Sequence, residues 1–278
     1  MAAQRLRITI LADNQAAPGL AGEHGLSCWV EAADRRVLLD TGTGGVLAAN
    51  AEKLGIDLAT ADALVLSHGH RDHTGGLPQV LARAPGLHVY HHPGVVLERY
   101  SVTSDASRAN GMPPEARAAL EAVPDQRRHL VEQPTLLADG LGLTGPVPRE
   151  TAYEDPGGPF FLDSAGQRPD PILDDLALWI ATPRGAVVCL GCGHAGLVNT
   201  LRQILRTAGV SRIRAVLGGF HLIQAGAARL AATVDALAAL DPDLVVPCHC
   251  TGDAATALFA ERLGDRVSPG RAGATFHF

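Results

Sequence analysis

The stretch that decides the fold reads Ser67-His68-Gly69-His70-Arg71-Asp72-His73-Thr74-Gly75-Gly76. The apolar run Ala63–Ser67 leads into it and predicts a short strand that is buried on both faces. Four possible metal ligands therefore follow a strand end within six residues, where a glycine-containing loop can turn them toward one point. The alternative is that these histidines only cap the loop through hydrogen bonds, which requires four such residues to coincide. The stretch therefore predicts a metal site.

Three later histidines also come just after predicted strands. They are His194 in Gly-Cys-Gly-His, His221 in Gly-Gly-Phe-His and His249 in Cys-His-Cys. Taken singly, a histidine at a strand end is more often a cap or a core residue than a ligand. Taken as a set, they predict that further ligands converge on one rim of the sheets.

Other polar residues near these motifs have two interpretations each. Three cysteines, Cys192, Cys248 and Cys250, flank the proposed ligands, and thiolates bind zinc well, but a site supplied with histidines does not need them. Asp40 either accepts a ring N–H of a ligand histidine, which fixes its tautomer, or caps its own loop. Glu23 and His24 either line the mouth of the pocket or belong to a solvated loop.

The motifs resemble those of a known family. The run His68-Gly-His70-Arg-Asp72-His73 resembles the His-x-His-x-Asp-His signature of the metallo-β-lactamase superfamily, and Asp40-Thr-Gly resembles its second-strand motif. The order of motifs covers nearly the whole chain. With the motifs around Glu23-His24, His194, His221 and His249, the chain is similar to one subfamily. That subfamily contains metallo-β-lactamase-fold hydrolases and proteins resembling 7,8-dihydropterin-6-methyl-4-(β-D-ribofuranosyl)aminobenzene-5′-phosphate synthase.

The resemblance implies two divalent metal ions. Zinc is the preferred identity, and manganese and iron are the alternatives. It assigns three ligands to each metal: His68, His70 and His194 to the first, and Asp72, His73 and His249 to the second. Asp72 would also orient the nucleophile. Relatives often place a bridging aspartate after the residue that corresponds to His194, whereas this chain offers His221 there. His221 would then act as a substrate ligand or a proton donor.

The order of predicted elements indicates an α/β protein. Strands begin each half of the chain and helices follow them, which fits two packed sheets with helices outside. The resemblance implies a single domain over residues 1–278 with the four-layer αββα sandwich of the superfamily. Regularity weakens between residues 93 and 171, where prolines, glycines and charges interrupt every pattern. We interpret residues 93–171 as an inserted cap of loops and a helix.

Composition excludes several classes of partner. The formal net charge is −6, Lys53 is the only lysine, and the arginines are scattered, which argues against nucleic-acid binding. No apolar run is long enough to cross a membrane, and the sequence begins without the pattern of a secretory signal. Five cysteines, an odd number, fit a reducing cytoplasm better than a disulfide framework. We therefore expect a cytoplasmic enzyme that acts on a small molecule.

Four functions remain open at this point. The first is a hydrolase that uses a metal-bound hydroxide on a small, anionic substrate containing a phosphate, ester or lactone. The second is a pterin-linked synthase of the kind found in the subfamily. The third is redox chemistry at two irons, which usually comes with a flavin domain that has no counterpart here. The fourth is a non-catalytic sensor of a metal or a ligand.

Overall fold

Two large sheets and a small one organise the chain. The computed structural model describes residues 6–32 and 34–278. The strands of this described part are β1 Leu6–Ala12, β2 Ser27–Ala32, β3 Arg35–Leu39, β4 Ala63–Leu66, β5 His88–His91, β6 Tyr100–Val102, β7 Ser107–Ala109, β8 Arg128–Leu130, β9 Thr135–Ala138, β10 Leu141–Leu143, β11 Phe160–Phe161, β12 Ala177–Thr182, β13 Gly185–Leu190, β14 Ile213–Gly219, β15 Leu244–Cys248 and β16 Thr275–His277.

Helices connect these strands. The α-helices are α1 Leu47–Lys53, α2 Arg71–Thr74, α3 Leu77–Arg83, α4 Pro114–Glu121, α5 Leu197–Thr207, α6 Ala227–Leu240 and α7 Asp253–Leu263. Short 3₁₀ helices span Leu58–Thr60, Pro93–Val96, Asp125–Arg127, His249–Thr251 and Gly264–Arg266. Among the described residues, no helix combines the length and the apolar character needed to cross a membrane.

Each large sheet is antiparallel on one side and parallel on the other. The first has the strand order β16-β1-β2-β3-β4-β5-β8, and the second has the order β15-β14-β13-β12-β10-β9. Pairing is parallel from β3 through β4 and β5 to β8, and again from β13 through β14 to β15. The carboxyl ends of parallel strands meet at one edge of a sheet, so the loops that follow β4, β13, β14 and β15 can come together.

Side chains on both faces of the large sheets are buried, which produces four layers. In β2, Cys28 and Val30 point into the core between the sheets, whereas Trp29 points outward to the helices. Helices α1, α3 and α4 cover the outer face of the first sheet, and α5, α6 and α7 cover that of the second. This period-two burial confirms the predicted αββα sandwich.

The predicted elements agree with the structure to within one or two residues in the two halves of the core. The predicted strand Ala63–Ser67 is β4. The sequence also predicts a hairpin of strands Leu176–Ala181 and Gly185–Leu190, and the structure has β12 and β13 there. Alternating apolar and polar residues predict a first strand over Arg5–Leu11, and Ala33-Asp34-Arg35 a turn between the next two strands. Arg5 and Ala33 lie outside the described residues.

The segment predicted as one cap, residues 93–171, is divided in the structure. Helix α4 packs on the first sheet, β8 joins its edge, and β9 and β10 belong to the second sheet. Only the strands β6, β7 and β11 form a separate three-stranded sheet. The middle of the segment returns to the core because its apolar side chains, such as Leu141 and Leu143, complete the interior between the sheets.

Candidate metal centre

Strand ends deliver the candidate ligands to one place. His68 lies two residues after β4, and His221 lies two residues after β14. Cys192 and Cys250 hold the same position after β13 and β15. Between these points the chain makes tight turns, and the one-turn helix α2 carries Asp72 and His73.

The first group of histidines is His68, His70 and His194. The Nε2 atom of His68 lies 3.0 Å from Nδ1 of His70. The ring of His194 is centred 4.8 Å from the ring of His68 and 4.9 Å from that of His70. All three side chains are buried. The structure therefore brings together the three residues that the resemblance assigns to the first metal.

The second group is Asp72, His73 and His249. The Nε2 atoms of His73 and His249 are 3.3 Å apart, although 176 residues separate them in sequence. An oxygen of Asp72 lies 3.3 Å from Nε2 of His249 and 3.9 Å from Nε2 of His73. The residues assigned to the second metal are thus also brought together.

Hydrogen bonds on the outer side of four rings fix their tautomers. His73 donates from Nδ1 to Asp40 at 2.7 Å, His249 to the side-chain oxygen of Asn14 at 2.9 Å, and His194 to a backbone carbonyl at 2.7 Å. Nδ1 of His68 lies 2.9 Å from the Ser67 hydroxyl, which itself donates to Asp40. Because the outer nitrogens carry protons, the Nε2 atom of each ring in its neutral form offers a lone pair to the centre.

This arrangement fits a bound cation. The Nε2 atoms of His73 and His249 lie 3.3 Å apart, so without a metal ion they need a shared proton between them, and a bound cation can take the place of that proton. The Nε2 of His194 is buried and has no hydrogen-bond partner among the described residues. Imidazole nitrogens and a carboxylate are donors that zinc, manganese and iron accept.

Cys192 lies between the two groups. Its sulfur is 3.1 Å from Nε2 of His73. Its sulfur also forms one three-donor group with His68 and His194, and another with His73 and His249; in each, all donor atoms lie within 4.8 Å of one another. The sequence leaves ligation by Cys192 open as one of two alternatives and offers His221 where relatives often place a bridging aspartate. The structure puts Cys192 in the centre and His221 beside it, with its ring centred 4.2 Å from that of His194.

Burial and neighbouring charges set the protonation of the centre. Burial, reinforced by neighbouring imidazoles, lowers the pKa values of His68 and His194 well below the usual range. Burial alone would also lower the pKa of His73, but Asp40 and Asp72 raise it to about 9. Metal-free protein at neutral pH thus carries a proton on His73, which a metal ion must displace.

Asp40, Glu23 and His24 have separate environments. Asp40 is fully buried and accepts hydrogen bonds from His73, from the Ser67 hydroxyl and from the Ser67 amide. The carboxylate of Glu23 binds the backbone amides of Thr43 and Gly45, so it holds a loop and does not line the cavity. The side chain of His24 is 74% exposed, and its Nε2 lies 3.3 Å from Asp72 at the cavity mouth.

A cavity of about 280 Å³ opens onto the centre. Phe160 of β11 forms its aromatic wall and packs on the rings of His70, His194 and His221, with centroids 4.9–5.6 Å apart. The small sheet, to which Phe160 itself belongs, also adds polar groups to the lining. Ser101, Thr103 and Asn110 lie there, and neither lysine nor arginine is among the described residues that line the cavity.

Comparison with known proteins gives consistent results. A family model described as the metallo-beta-lactamase superfamily matches residues 21–249. Among solved structures, Tm1679, a metal-dependent hydrolase of the beta-lactamase superfamily, superposes with a TM-score of 0.82 at 32% identity and covers 98% of both chains.

Two archaeal proteins of Methanocaldococcus jannaschii are also similar. One is 7,8-dihydropterin-6-methyl-4-(beta-D-ribofuranosyl)-aminobenzene-5′-phosphate synthase, which is 27% identical over 92% of this chain and 90% of its own length. The other is an uncharacterized protein, 31% identical over 88% of this chain and 90% of its own length.

Proposed function

The chain belongs to the metallo-β-lactamase superfamily, and from that premise we propose that it is a hydrolase that uses two divalent metal ions on a small substrate. His68, His70 and His194 would hold the first ion. Asp72, His73 and His249 would hold the second, and Cys192 lies between them. The observation that carries the proposal is the set of four histidines whose outer nitrogens donate hydrogen bonds and whose inner nitrogens face one centre.

Ions bound there would lower the pKa of a coordinated water and polarise the electrophilic oxygen of the substrate. The side chains of this protein prepare the site for that chemistry. Asp40 keeps the ring of His73 in one orientation, and Asn14 does the same for His249. An oxygen of Asp72 faces the mouth of the cavity, where it is placed to accept a proton and to orient the attacking group.

The cavity narrows the substrate class. A phosphate bound away from the metals is commonly held by arginine or lysine, and the described lining contains neither. We infer that the negative charge of the substrate and its reacting phosphate, ester or lactone group lie against the metals. The rest of the substrate is then uncharged, with an apolar ring against Phe160 and polar atoms toward Ser101 and Asn110.

A second candidate is the synthase chemistry of the archaeal relative. It is supported by 27% identity over 92% of this chain. The same centre would then activate a phosphorylated sugar for bond formation. The two candidates differ in their products, because only hydrolysis cleaves an ester without a second organic substrate.

The test is a screen of the zinc- and manganese-loaded protein against phosphodiester, lactone and thioester substrates. We expect turnover of at least one class, and a loss of roughly 100-fold or more in Asp72→Ala, because this change removes both a metal donor and the orienting carboxylate. Asp265→Ala is the matched control, since Asp265 is an exposed carboxylate of a distant 3₁₀ turn.

The outcomes separate the candidates. Unchanged turnover in Asp72→Ala contradicts the hydrolase. The synthase is favoured if the protein hydrolyses no ester but joins a phosphorylated sugar to a second organic substrate. Stable metal binding with neither reaction favours a sensor.

A further inference from the structure

A second group of metal-binding side chains adjoins the centre. The donor atoms of Cys192, His221 and Cys250 all lie within 4.8 Å of one another. Cys250 and His221 belong to neither of the two groups described above. All three residues are buried or nearly so, and all three line the cavity.

The backbone around this group is tied together. The amide of Leu222 donates to the carbonyl of Cys250 at 3.2 Å, and the amide of Phe220 donates to the hydroxyl of Thr251 at 3.1 Å. The turns after β14 and β15 are therefore held against each other. These hydrogen bonds fix the distance between the backbone positions of His221 and Cys250, and none of them uses the metal-donor atoms of these two residues.

Two glycines make room for the donors. A Cβ atom on Gly219 would come within 2.6 Å of the sulfur of Cys250. A Cβ atom on Gly157, whose φ is +85°, would collide with the ring of His221. Any other residue at these positions would displace the two side chains, so the site depends on glycine at both.

One ring nitrogen of His221 lacks a hydrogen-bond partner in the described part of the chain. Its Nδ1 is buried and has no hydrogen-bond partner among the described residues. The residue also adopts a φ of +45°, which is unfavourable for a side chain with a Cβ atom. A buried nitrogen without a hydrogen-bond partner points to a ligand that binds it. Backbone strain of this kind is concentrated at binding and catalytic sites.

We propose that Cys192, His221 and Cys250 bind a third metal ion of the zinc type. Two thiolates and one imidazole are donors that favour zinc over the harder manganese. Three protein ligands leave a fourth coordination position, which faces the cavity. This ion would contact the part of a substrate that extends beyond the two-metal centre.

Sharing Cys192 is chemically consistent with this assignment. A thiolate sulfur has enough lone pairs to contact one ion of the two-metal centre and the third ion together. Binding of the third ion displaces the thiol protons of Cys192 and Cys250, and neither sulfur is oxidised.

The test counts zinc ions on the protein by mass spectrometry after removal of loosely bound metal. We expect about three ions for the unmodified chain and about two for Cys250→Ala. Cys248→Ala is the matched control, because the Cys248 side chain lies in the core between the sheets and belongs to none of the donor groups. We expect it to retain about three ions.

A measurement on the unmodified protein covers the case in which Cys250→Ala does not fold. Saturating zinc should slow the alkylation of Cys250 at least about tenfold more than that of Cys248, because buried Cys248 reacts only when the fold opens and is protected only by the general stabilisation. Two ions on the unmodified chain, or no zinc protection of Cys250, overturns the proposal. The hydrolase is tested separately, since its failure removes turnover in the substrate screen but leaves the ion count unchanged.

Discussion

At the scale of single residues, Asp40 connects two parts of the metal centre. One oxygen accepts from the amide of Ser67, and the other accepts from the Ser67 hydroxyl and from Nδ1 of His73. Through Ser67 it also orients His68, so one carboxylate positions a ligand of each proposed metal. Its φ of +58° is one that asparagine and aspartate tolerate better than most residues.

Replacement of Asp40 should therefore weaken metal binding more than the loss of one contact suggests. We expect Asp40→Ala to lower zinc affinity by roughly 10- to 100-fold and to cost on the order of 3 kcal/mol of stability, because buried donors lose their acceptor. Asp40→Asn is the control, since it keeps the backbone preference and one acceptor oxygen. Competition with a zinc chelator and urea unfolding measure both effects. Equal affinity in all three proteins would contradict the role.

A site residue can be predicted from the sequence when its partners lie close to it along the chain. His68, His70, Asp72 and His73 are recognisable because they are close together in sequence. The role of Cys192 is not decided by the sequence, because its nearest partner, His73, is 119 positions away. One available signal was its position two residues after a strand, which it shares with His68.

At the scale of elements, a buried arginine connects the small sheet to the metal-binding loop. Arg99, just before β6, is 2% exposed and binds Asp170 at 2.7 Å and Asp174 at 2.6 and 2.9 Å. Asp174 also accepts the amide of Gly69, which lies between His68 and His70. The three-stranded sheet and the loop are therefore held by one ionic network.

Disruption of this network should be costly. We expect Arg99→Leu to lower the free energy of unfolding by about 3–5 kcal/mol, because two buried carboxylates lose their counter-charge. Arg99→Lys keeps the charge but not the paired hydrogen bonds, so its loss should be smaller. Urea unfolding of metal-loaded protein measures both. A leucine variant as stable as the lysine variant would show that the pairing is not the source of stability.

The elements between residues 93 and 171 were the hardest to predict from the sequence. Strands β8 and β10 have three residues each, too few to establish an alternating pattern. Their location depends on partners elsewhere in the chain, β5 for β8 and β12 for β10. Pairing at that range is decided by the assembled core, which local patterns do not describe.

At the scale of the whole molecule, a cluster of buried histidines makes stability dependent on pH. His68, His70 and His194 have pKa values lowered by burial, so the unfolded chain binds protons more readily than the folded one. Their contribution is present above the ordinary histidine pKa of about 6.5 and is lost as the pH falls below it. Asp175, whose pKa burial raises to about 7, acts in the opposite direction, and so does His73, whose pKa Asp40 and Asp72 raise to about 9.

Metal-free protein should therefore lose stability on mild acidification. We expect the free energy of unfolding to fall by on the order of 2 kcal/mol between pH 6.5 and 5.5, since the three histidines outweigh Asp175 and the small contribution of His73. Urea titrations in the presence of a chelator measure it. A His194→Gln variant should show a shallower dependence. A free energy that stays constant or rises over this range would contradict the expectation.

The separation of His73 and His249 has a mechanical consequence. One lies after a strand of the first sheet and the other after a strand of the second, and they are 176 positions apart in the sequence. An ion bound to both is a removable cross-link around most of the chain. By the loop-closure estimate used for disulfides, such a link lowers the entropy of the unfolded chain by the equivalent of about 5 kcal/mol. The metal would then act as a reversible cross-link between the two large sheets, and a chelator would remove this link without cleaving the polypeptide chain.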